Sequence, residues 1–325
     1  MGQMTLGTVG AIALLLTSSY AAFTASSGNA KTLPENRRFA PIQIEENQVS
    51  HQPKQHFNGG GFQVVYGPAG DRGQRFQNAL RDARLFESLA EGLNSSNLNV
   101  PANIPIILRD CGQVNAFYRP ADNSITMCHE LTLDTVDLFS QSGGSSREEA
   151  LEEALFVTIF VFFHELGHAL IDVLEIPATG KEEDAVDDFA TLLLLETDSE
   201  QVEEIVLNAA RWFALQAERS EGSEIPYWGE HSLDWQRFYS IVCLVYGKNP
   251  SKYAALATKG ILPRRRAERC PREYEKKLAS WTTLLKPHFT NPNGTWGSPA
   301  QPPPGSYPPQ NPPPNPRQPT PVPRW

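Results

Sequence analysis

The sequence predicts an α+β fold, in which a small N-terminal antiparallel sheet is followed by a mainly helical domain. Strand-like runs are found before about residue 130, whereas helical periodicity dominates from residue 146 onward. An almost wholly apolar run, 155–163, then leads directly into a cluster of ionisable residues. Strands grouped at one end of a chain and helices at the other are typical of α+β proteins rather than of alternating α/β proteins.

The composition divides the chain into four segments. Residues 1–30 contain an apolar stretch followed by small residues, which is typical of a secretory signal peptide; an uncleaved membrane anchor is the alternative. Residues 31–61 are polar, end in three glycines and predict a flexible linker, which could also act as a pro-segment. Residues 62–286 have the size of one folded domain. Residues 287–325 are dominated by proline, which favours disordered polyproline II and suits a spacer or a ligand for an envelope partner.

Charge and cysteine content limit the partners and the compartment. The 325-residue chain has a formal net charge of −9, which argues against a nucleic-acid partner because phosphate binding needs a surplus of lysine and arginine. The cysteines Cys111, Cys128, Cys243 and Cys270 have no CxxC spacing, which favours two disulfide bonds over a cysteine zinc site. Together with the signal peptide, they predict export to the periplasm or the extracellular space, with no stable membrane span after signal cleavage.

The first half of the folded segment predicts four strands and one helix. A strand is expected at 62–66 and a helix at 72–92, where large apolar residues recur at three- and four-residue steps. The remaining strand-like runs are 104–108, 114–118 and 125–128. A turn composition between the last two predicts a hairpin. This hairpin would bring the first two cysteines together, so we favour a bond between Cys111 and Cys128, and one between the other two.

From residue 146 onward the pattern predicts a series of helices. The first begins at an N-cap offered by Ser145 or Ser146, contains the apolar run and ends before Pro177 and Gly180. The nine apolar residues are too few to span a bilayer, which takes about 20, so a core helix is expected. Further helices are expected at 181–197, 200–218, 231–246, 250–258 and 264–284.

The sequence His164-Glu165-Leu166-Gly167-His168 lies on this core helix and predicts a site for one zinc ion per chain. Residues four apart share one face of a helix, so both imidazoles can reach a single zinc ion at about 2.0–2.1 Å. Glu165 lies about 100° further round the helix, which suits a general base acting on water rather than a third ligand.

Acidic residues at 182–188 open the next predicted helix. A catalytic zinc ion needs a third protein ligand, and two histidines with a glutamate form a frequent set. The acids occupy adjacent registers, so Glu182, Glu183 and Asp184 all remain candidates. Some of the acids would do no more than stabilise the helix N-terminus through its dipole.

An HExxH motif followed by a second helix with E-x-x-[AV]-D resembles the gluzincin class of zinc peptidases. The second motif is Glu183-Asp184-Ala185-Val186-Asp187 in this chain. The resemblance implies a zincin-like domain with Glu183 as the third ligand. It also implies Asp187 as the acceptor for the free N–H of a ligating histidine.

The folded segment as a whole resembles a bacterial domain-of-unknown-function family of metallopeptidase-like proteins. The resemblance indicates a class of enzyme and no particular substrate; a peptide or protein is the substrate expected of a peptidase. The matching stretches are 111–118, 125–131, the HELGHALID segment from 164, 231–234 and 237–239.

Two residues outside the motifs have more than one interpretation. His231 precedes a predicted helix and could stabilise the oxyanion of a tetrahedral intermediate, or it could be a capping or surface histidine. Asp172 lies one turn after His168 and could support the metal ligands from outside, or it could be a surface acid.

These observations favour a zinc-dependent metallopeptidase with Glu165 as its general base. The resemblance to this class implies that an extended peptide would bind by strand addition to 114–118 or 125–128. One alternative is a zinc amidase that acts on a non-peptide amide. Another is a non-catalytic exported zinc-binding or docking protein of the cell envelope. Structural zinc sites usually have four protein ligands, whereas this sequence offers three, so catalysis is the favoured hypothesis.

Overall fold

The computed structural model describes residues 60–143, 146–197, 199–222 and 227–289. The predicted signal peptide, nearly all of the predicted linker and the tail from residue 290 onward lie outside these ranges, as does Ser145. The strands are β1 (Gly61–Tyr66), β2 (Asn103–Arg109), β3 (Ala116–Arg119) and β4 (Ser124–Cys128). The helices are α1 (Asp71–Asp82), α2 (Leu85–Asn94), α3 (His129–Gln141), α4 (Arg147–Val173), α5 (Glu182–Leu195), α6 (Glu200–Arg219), α7 (Asp234–Lys248), α8 (Ala254–Thr258), α9 (Arg264–Ala267) and α10 (Cys270–Leu285).

The α+β architecture with a small N-terminal sheet is confirmed, but the sheet is mixed rather than antiparallel. Its strand order is β1-β2-β4-β3, and only the β3–β4 hairpin is antiparallel. The pairs β1–β2 and β2–β4 are parallel. The reason lies in the connection between β1 and β2, which contains α1 and α2. It is long enough for the crossover that parallel neighbours need.

Helix boundaries differ from the sequence predictions mainly at breaks that periodicity does not reveal. The single helix expected at 72–92 is divided at Arg84, which adopts a left-handed conformation with φ 53°. Helix α3 was not predicted, and the helix expected at 264–284 is divided into α9 and α10. The helix expected from residue 231 begins at Asp234. Apolar spacing continues across each break, so the pattern alone indicates one longer helix.

Helix α4 is the central element of the core. Ser146 caps its N-terminus by accepting from the Glu149 backbone N–H at 3.2 Å, and Glu149 accepts from the Ser146 N–H at 2.6 Å. Within the described residues, α4 alone is long and apolar enough to cross a membrane, yet 94% of its most apolar stretch is buried inside the protein. Burying a large apolar side chain stabilises a fold by about 1.5–3 kcal/mol. This burial identifies α4 as a core helix, as the sequence predicts.

Two disulfide bonds link neighbouring elements of the fold, and both were favoured from the sequence. Cys111–Cys128 connects the loop after β2 to the end of β4. Cys243–Cys270 connects α7 to the start of α10. Disulfide bonds persist in oxidising compartments and are rare in the cytosol, so the pair indicates an oxidising environment for this chain.

Candidate active site

The last turns of α4 present two imidazoles to the start of α5. His164 and His168 lie on one face of α4, with ring centroids 5.0 Å apart. The two helices can approach closely because residue 167 is glycine. A Cβ atom at Gly167 would lie 2.8 Å from Cγ1 of Val186. This contact brings the first turn of α5 against the histidine pair.

Glu183 is the acid that faces both imidazoles. Its carboxylate lies 3.2 Å from Nε2 of His164 and 3.5 Å from Nε2 of His168. One ligand atom from each of these three residues falls within 4.8 Å of the others. Although burial works in the opposite direction, the neighbouring histidines lower the pKa of Glu183 well below its usual range, so the carboxylate is ionised.

The donor set fits a metal ion. Oε2 of Glu183 is buried and has no hydrogen bond of good geometry within the described part of the chain, although nitrogen atoms surround it. A buried charged oxygen without such a bond is costly unless a cation completes its surroundings. Two imidazole nitrogens and a carboxylate oxygen are typical of a catalytic zinc site.

Two further acids contact the Nδ1 atoms of the histidines, on the ring side away from Glu183. Asp187 lies 2.8 Å from Nδ1 of His164, and Glu182 lies 2.7 Å from Nδ1 of His168. An ionised carboxylate only accepts hydrogen bonds, so each Nδ1 carries the proton and each Nε2 is free to bind a metal. The structure therefore places the Glu183 carboxylate against the Nε2 atoms of both imidazoles, whereas Glu182 contacts only Nδ1 of His168. Asp184, the remaining candidate, is exposed.

Arg237 is a site residue to which sequence analysis gave no role. Its Nε and Nη2 atoms donate to the two oxygens of Asp187, both at 2.7 Å. The guanidinium also lies over the ring of Phe213, at 4.0 Å from the centroid. Burial disfavours the charge on Asp187, but Arg237 and His164 hold the pKa of this carboxyl well below its usual range. Arg237 lies within a stretch that resembles the metallopeptidase-like family, which was the only available signal.

Glu165 lies beside the pair of histidines and faces the sheet. Its side chain is buried, and Oε2 accepts from the Tyr118 backbone N–H at 2.8 Å. Burial raises the pKa of Glu165, against the opposing influence of the histidines. The Tyr118 hydroxyl donates to Asp172 at 2.6 Å, so Asp172 positions the edge strand β3 rather than a histidine. Sequence analysis missed Tyr118 because backbone donors carry no residue-type signal.

His231 reaches the same centre from the segment before α7. Its Nε2 lies 2.9 Å from Oε2 of Glu183, and its ring stacks over His164 with centroids 6.3 Å apart. Lys181 supports this segment by donating to the carbonyl oxygens of Gly229 and His231. His231 is not the N-cap of α7, which is Leu233. The side chain remains about half exposed, at 55%.

A family model described as "Putative metallopeptidase" matches residues 66–285 of the chain. The chain belongs to this family. The match includes the two histidines, Glu183 and His231, so the whole candidate site lies within the family domain. No curated protein and no solved structure matched the chain. Membership of the metallopeptidase family therefore supports a metal-dependent hydrolase. The substrate and the mechanism have to be inferred from the side chains.

Proposed function

We propose that this family member is a zinc-dependent peptidase that hydrolyses peptide bonds with Glu165 as general base. The observation that carries the proposal is the placement of the Glu183 carboxylate against both Nε2 atoms of the HExxH histidines. The Nδ1 atom on the other side of each ring is hydrogen-bonded to a separate acid, Asp187 for His164 and Glu182 for His168. One zinc ion held by His164, His168 and Glu183 would polarise a scissile carbonyl and acidify water.

Glu165 is the residue that moves the proton. It takes a proton from the attacking water and returns it to the leaving amine, and its buried position supports both steps. A carboxylate in a dry site is a stronger base than one in water, because burial raises its pKa. The hydrogen bond from the Tyr118 N–H keeps Oε2 fixed and leaves the other oxygen available to a reacting water.

The surroundings of Glu165 favour an extended peptide as substrate. Strand β3 is the terminal strand of the sheet, next to α4, and its backbone can pair with an added strand. The imidazole of His231, which contacts Glu183, can donate to the developing oxyanion. The disulfide bonds and the N-terminal apolar stretch support a periplasmic or extracellular location.

Replacement of Glu165 by glutamine tests the proposed role directly. Glutamine keeps the shape but cannot accept the proton, so we expect about a 10²–10⁴-fold loss of kcat on a peptide library with zinc content unchanged. The matched control is Glu175→Gln, the same change at an exposed position just after α4, which should leave turnover intact. Full activity of the Glu165→Gln chain with normal zinc content would refute Glu165 as base.

Metal content separates the proposal from its alternatives. The chain should bind one zinc ion, and Glu183→Ala should weaken that binding strongly, whereas Asp184→Asn on the exposed side of α5 should not. A zinc-loaded chain that cleaves non-peptide amides but no peptides would favour an amidase. A chain that binds zinc without cleaving either substrate class would favour the envelope docking protein.

A further inference from the structure

Exposed aromatic side chains are concentrated beside the candidate site. In the described part of the chain, six large hydrophobic residues are exposed, and four of them fall between residues 227 and 239. They are Tyr227, Trp228, Trp235 and Tyr239, which we call the aromatic surface. Trp228 is 78% exposed and Trp235 is 43% exposed. Large aromatic side chains left in water at this density mark an interaction site.

The aromatic surface borders the metal-binding residues in sequence and in space. The ring of Trp235 packs edge-on against that of Phe238, and its centroid lies 6.2 Å from the ring centroid of Tyr239. The start of α7 therefore presents a fixed aromatic face. His231, which contacts Glu183, lies between the two exposed tryptophans in the chain. A ligand on the aromatic surface therefore lies beside the candidate active site.

The sequence that carries the aromatic surface has an excess of acids, although Lys181 lies against its backbone. The sequence from 218 to 239 contains five acids and two arginines. Both arginines are already engaged, because Arg219 pairs with Asp134 and Arg237 pairs with Asp187. Glu230 is exposed next to His231. A ligand that suits the aromatic surface should therefore be apolar, preferably extended, and basic rather than acidic.

The chain itself contains a segment with this chemistry. Fourteen of the 36 residues from 290 to 325 are proline, and the only charged side chains among them are Arg317 and Arg324. Proline-rich segments favour polyproline II, a form that is ordered at little entropic cost and binds to exposed tryptophan and tyrosine rings. The arginines complement the acids around the aromatic surface.

The length of the tail permits binding within one chain. The described structure ends at Phe289, which forms an isolated β-bridge with Leu98. The Asn99 N–H donates to the carbonyl oxygen of His288. In polyproline II, the 27 residues from 290 to 316 would extend roughly 80 Å. A domain of this size has a radius of gyration of roughly 17 Å, so the tail can reach any part of its surface.

We propose that the aromatic surface binds the proline-rich tail of the same chain, with residues 299–317 as the bound segment. A bound tail would compete with other ligands of the aromatic surface. Its effect on peptide hydrolysis rests on the proposed function, but the binding itself does not. The binding test can therefore be made on metal-free protein, and its outcome is independent of whether the chain is a peptidase.

The test uses a fluorescein-labelled synthetic peptide of residues 299–317 and measures its anisotropy with full-length chain in the presence of a chelator. The host is a variant in which the prolines at 302–304, 308–309 and 312–314 are serine, so that no competing tail remains. We expect saturable binding to this host. Wild-type chain should bind the peptide about tenfold more weakly, because a tethered tail competes at an effective concentration on the order of millimolar.

Substitutions on the aromatic surface locate the binding site. In the same host, Trp228→Ala and Trp235→Ala should each weaken peptide binding about tenfold, since aromatic anchors dominate such contacts. Both side chains are exposed, so folding should be unaffected, and thermal unfolding checks this. Ile261→Ala, at an exposed apolar residue elsewhere, is the control and should have no effect. Absence of binding to the host, equal binding to wild-type chain, or binding that survives both tryptophan substitutions would each overturn the proposal.

Discussion

At the residue scale, the acids at the start of α5 have different positions in the structure. Glu183 faces both Nε2 atoms, while Glu182 and Asp187 each contact one Nδ1 atom. Glu182 precedes Glu183 by one position and Asp187 follows it by four, so their directions follow from the 100° step of the helix. Asp187 also carries two hydrogen bonds from Arg237, which makes it the most constrained acid of the group.

Arg237→Lys tests whether this arginine positions His164 through Asp187. Lysine keeps the charge but cannot donate to both carboxylate oxygens in a fixed geometry. We expect zinc affinity, measured by competition with a chromophoric chelator, to fall about 10–100-fold, as for other residues that orient metal-binding histidines.

The matched control for this substitution is Arg219→Lys. Arg219 also donates to both oxygens of an aspartate, Asp134, but at an exposed position away from the histidines. It should leave zinc affinity unchanged. Unchanged zinc affinity of the Arg237→Lys chain would mean that Asp187 holds its position without the arginine, and that Arg237 serves only the packing between α7 and α5.

At the element scale, the contact between α4 and α5 determines whether the site can assemble. A Cβ atom at residue 167 would lie 2.8 Å from Cγ1 of Val186 and 3.1 Å from Cδ1 of Phe189. Both neighbours are buried, so neither can move away freely. Gly167 therefore sets the distance between the helix that carries the histidines and the helix that carries Glu183.

Gly167→Ala should separate these two helices. We expect a loss of about 1–3 kcal/mol in unfolding free energy from overpacking, and at least a tenfold loss of zinc affinity because the third ligand moves with α5. The control is Gly180→Ala in the loop between the helices, where an added Cβ atom would meet nothing within 4 Å. Urea unfolding and chelator competition measure the two effects. Wild-type zinc affinity in the Gly167→Ala chain would indicate that α5 can shift without moving Glu183.

At the scale of the whole molecule, a partly buried ion pair connects α5 to α10. Oδ1 of Asp188 lies 2.7 Å from Nζ of Lys277. Burial raises the pKa of Asp188 from 3.8 to about 6, because the loss of solvent outweighs the attraction of Lys277. The folded chain therefore binds a proton at Asp188 more tightly than the unfolded chain does.

This difference predicts a pH dependence of stability. Because the folded pKa is higher than the unfolded value, the contribution of Asp188 to unfolding free energy should fall as pH rises from about 4 to 6. Between pH 4 and pH 7, metal-free wild-type chain should lose about 2–3 kcal/mol relative to Asp188→Asn, measured by urea unfolding. Asp184→Asn, at an exposed acid of the same helix, is the control. Identical pH dependence of wild-type and Asp188→Asn chains would contradict the raised pKa.

Several features of the fold and the site could be predicted from the sequence because they depend on local spacing. The i, i+4 spacing of His164 and His168 places both on one helix face wherever that helix packs. The apolar run before them requires a buried helix, and the adjacent acids indicate that the next helix places a carboxylate against the histidines. The cysteine pairs followed from the expected hairpin. In each case the interacting groups are close in sequence or share one periodic element.

Only the tertiary structure decided how the distant groups meet. Sequence spacing could not choose between Glu182 and Glu183, because their roles depend on the rotation of α5 against α4. The link from Arg237 to Asp187 spans 50 residues, and that from the Tyr118 N–H to Glu165 spans 47. The parallel pairing of β1 and β2 also depends on how the intervening helices cross the sheet. Periodicity determines which face of an element is buried, but not which other element covers it, so these contacts follow only from the packed structure.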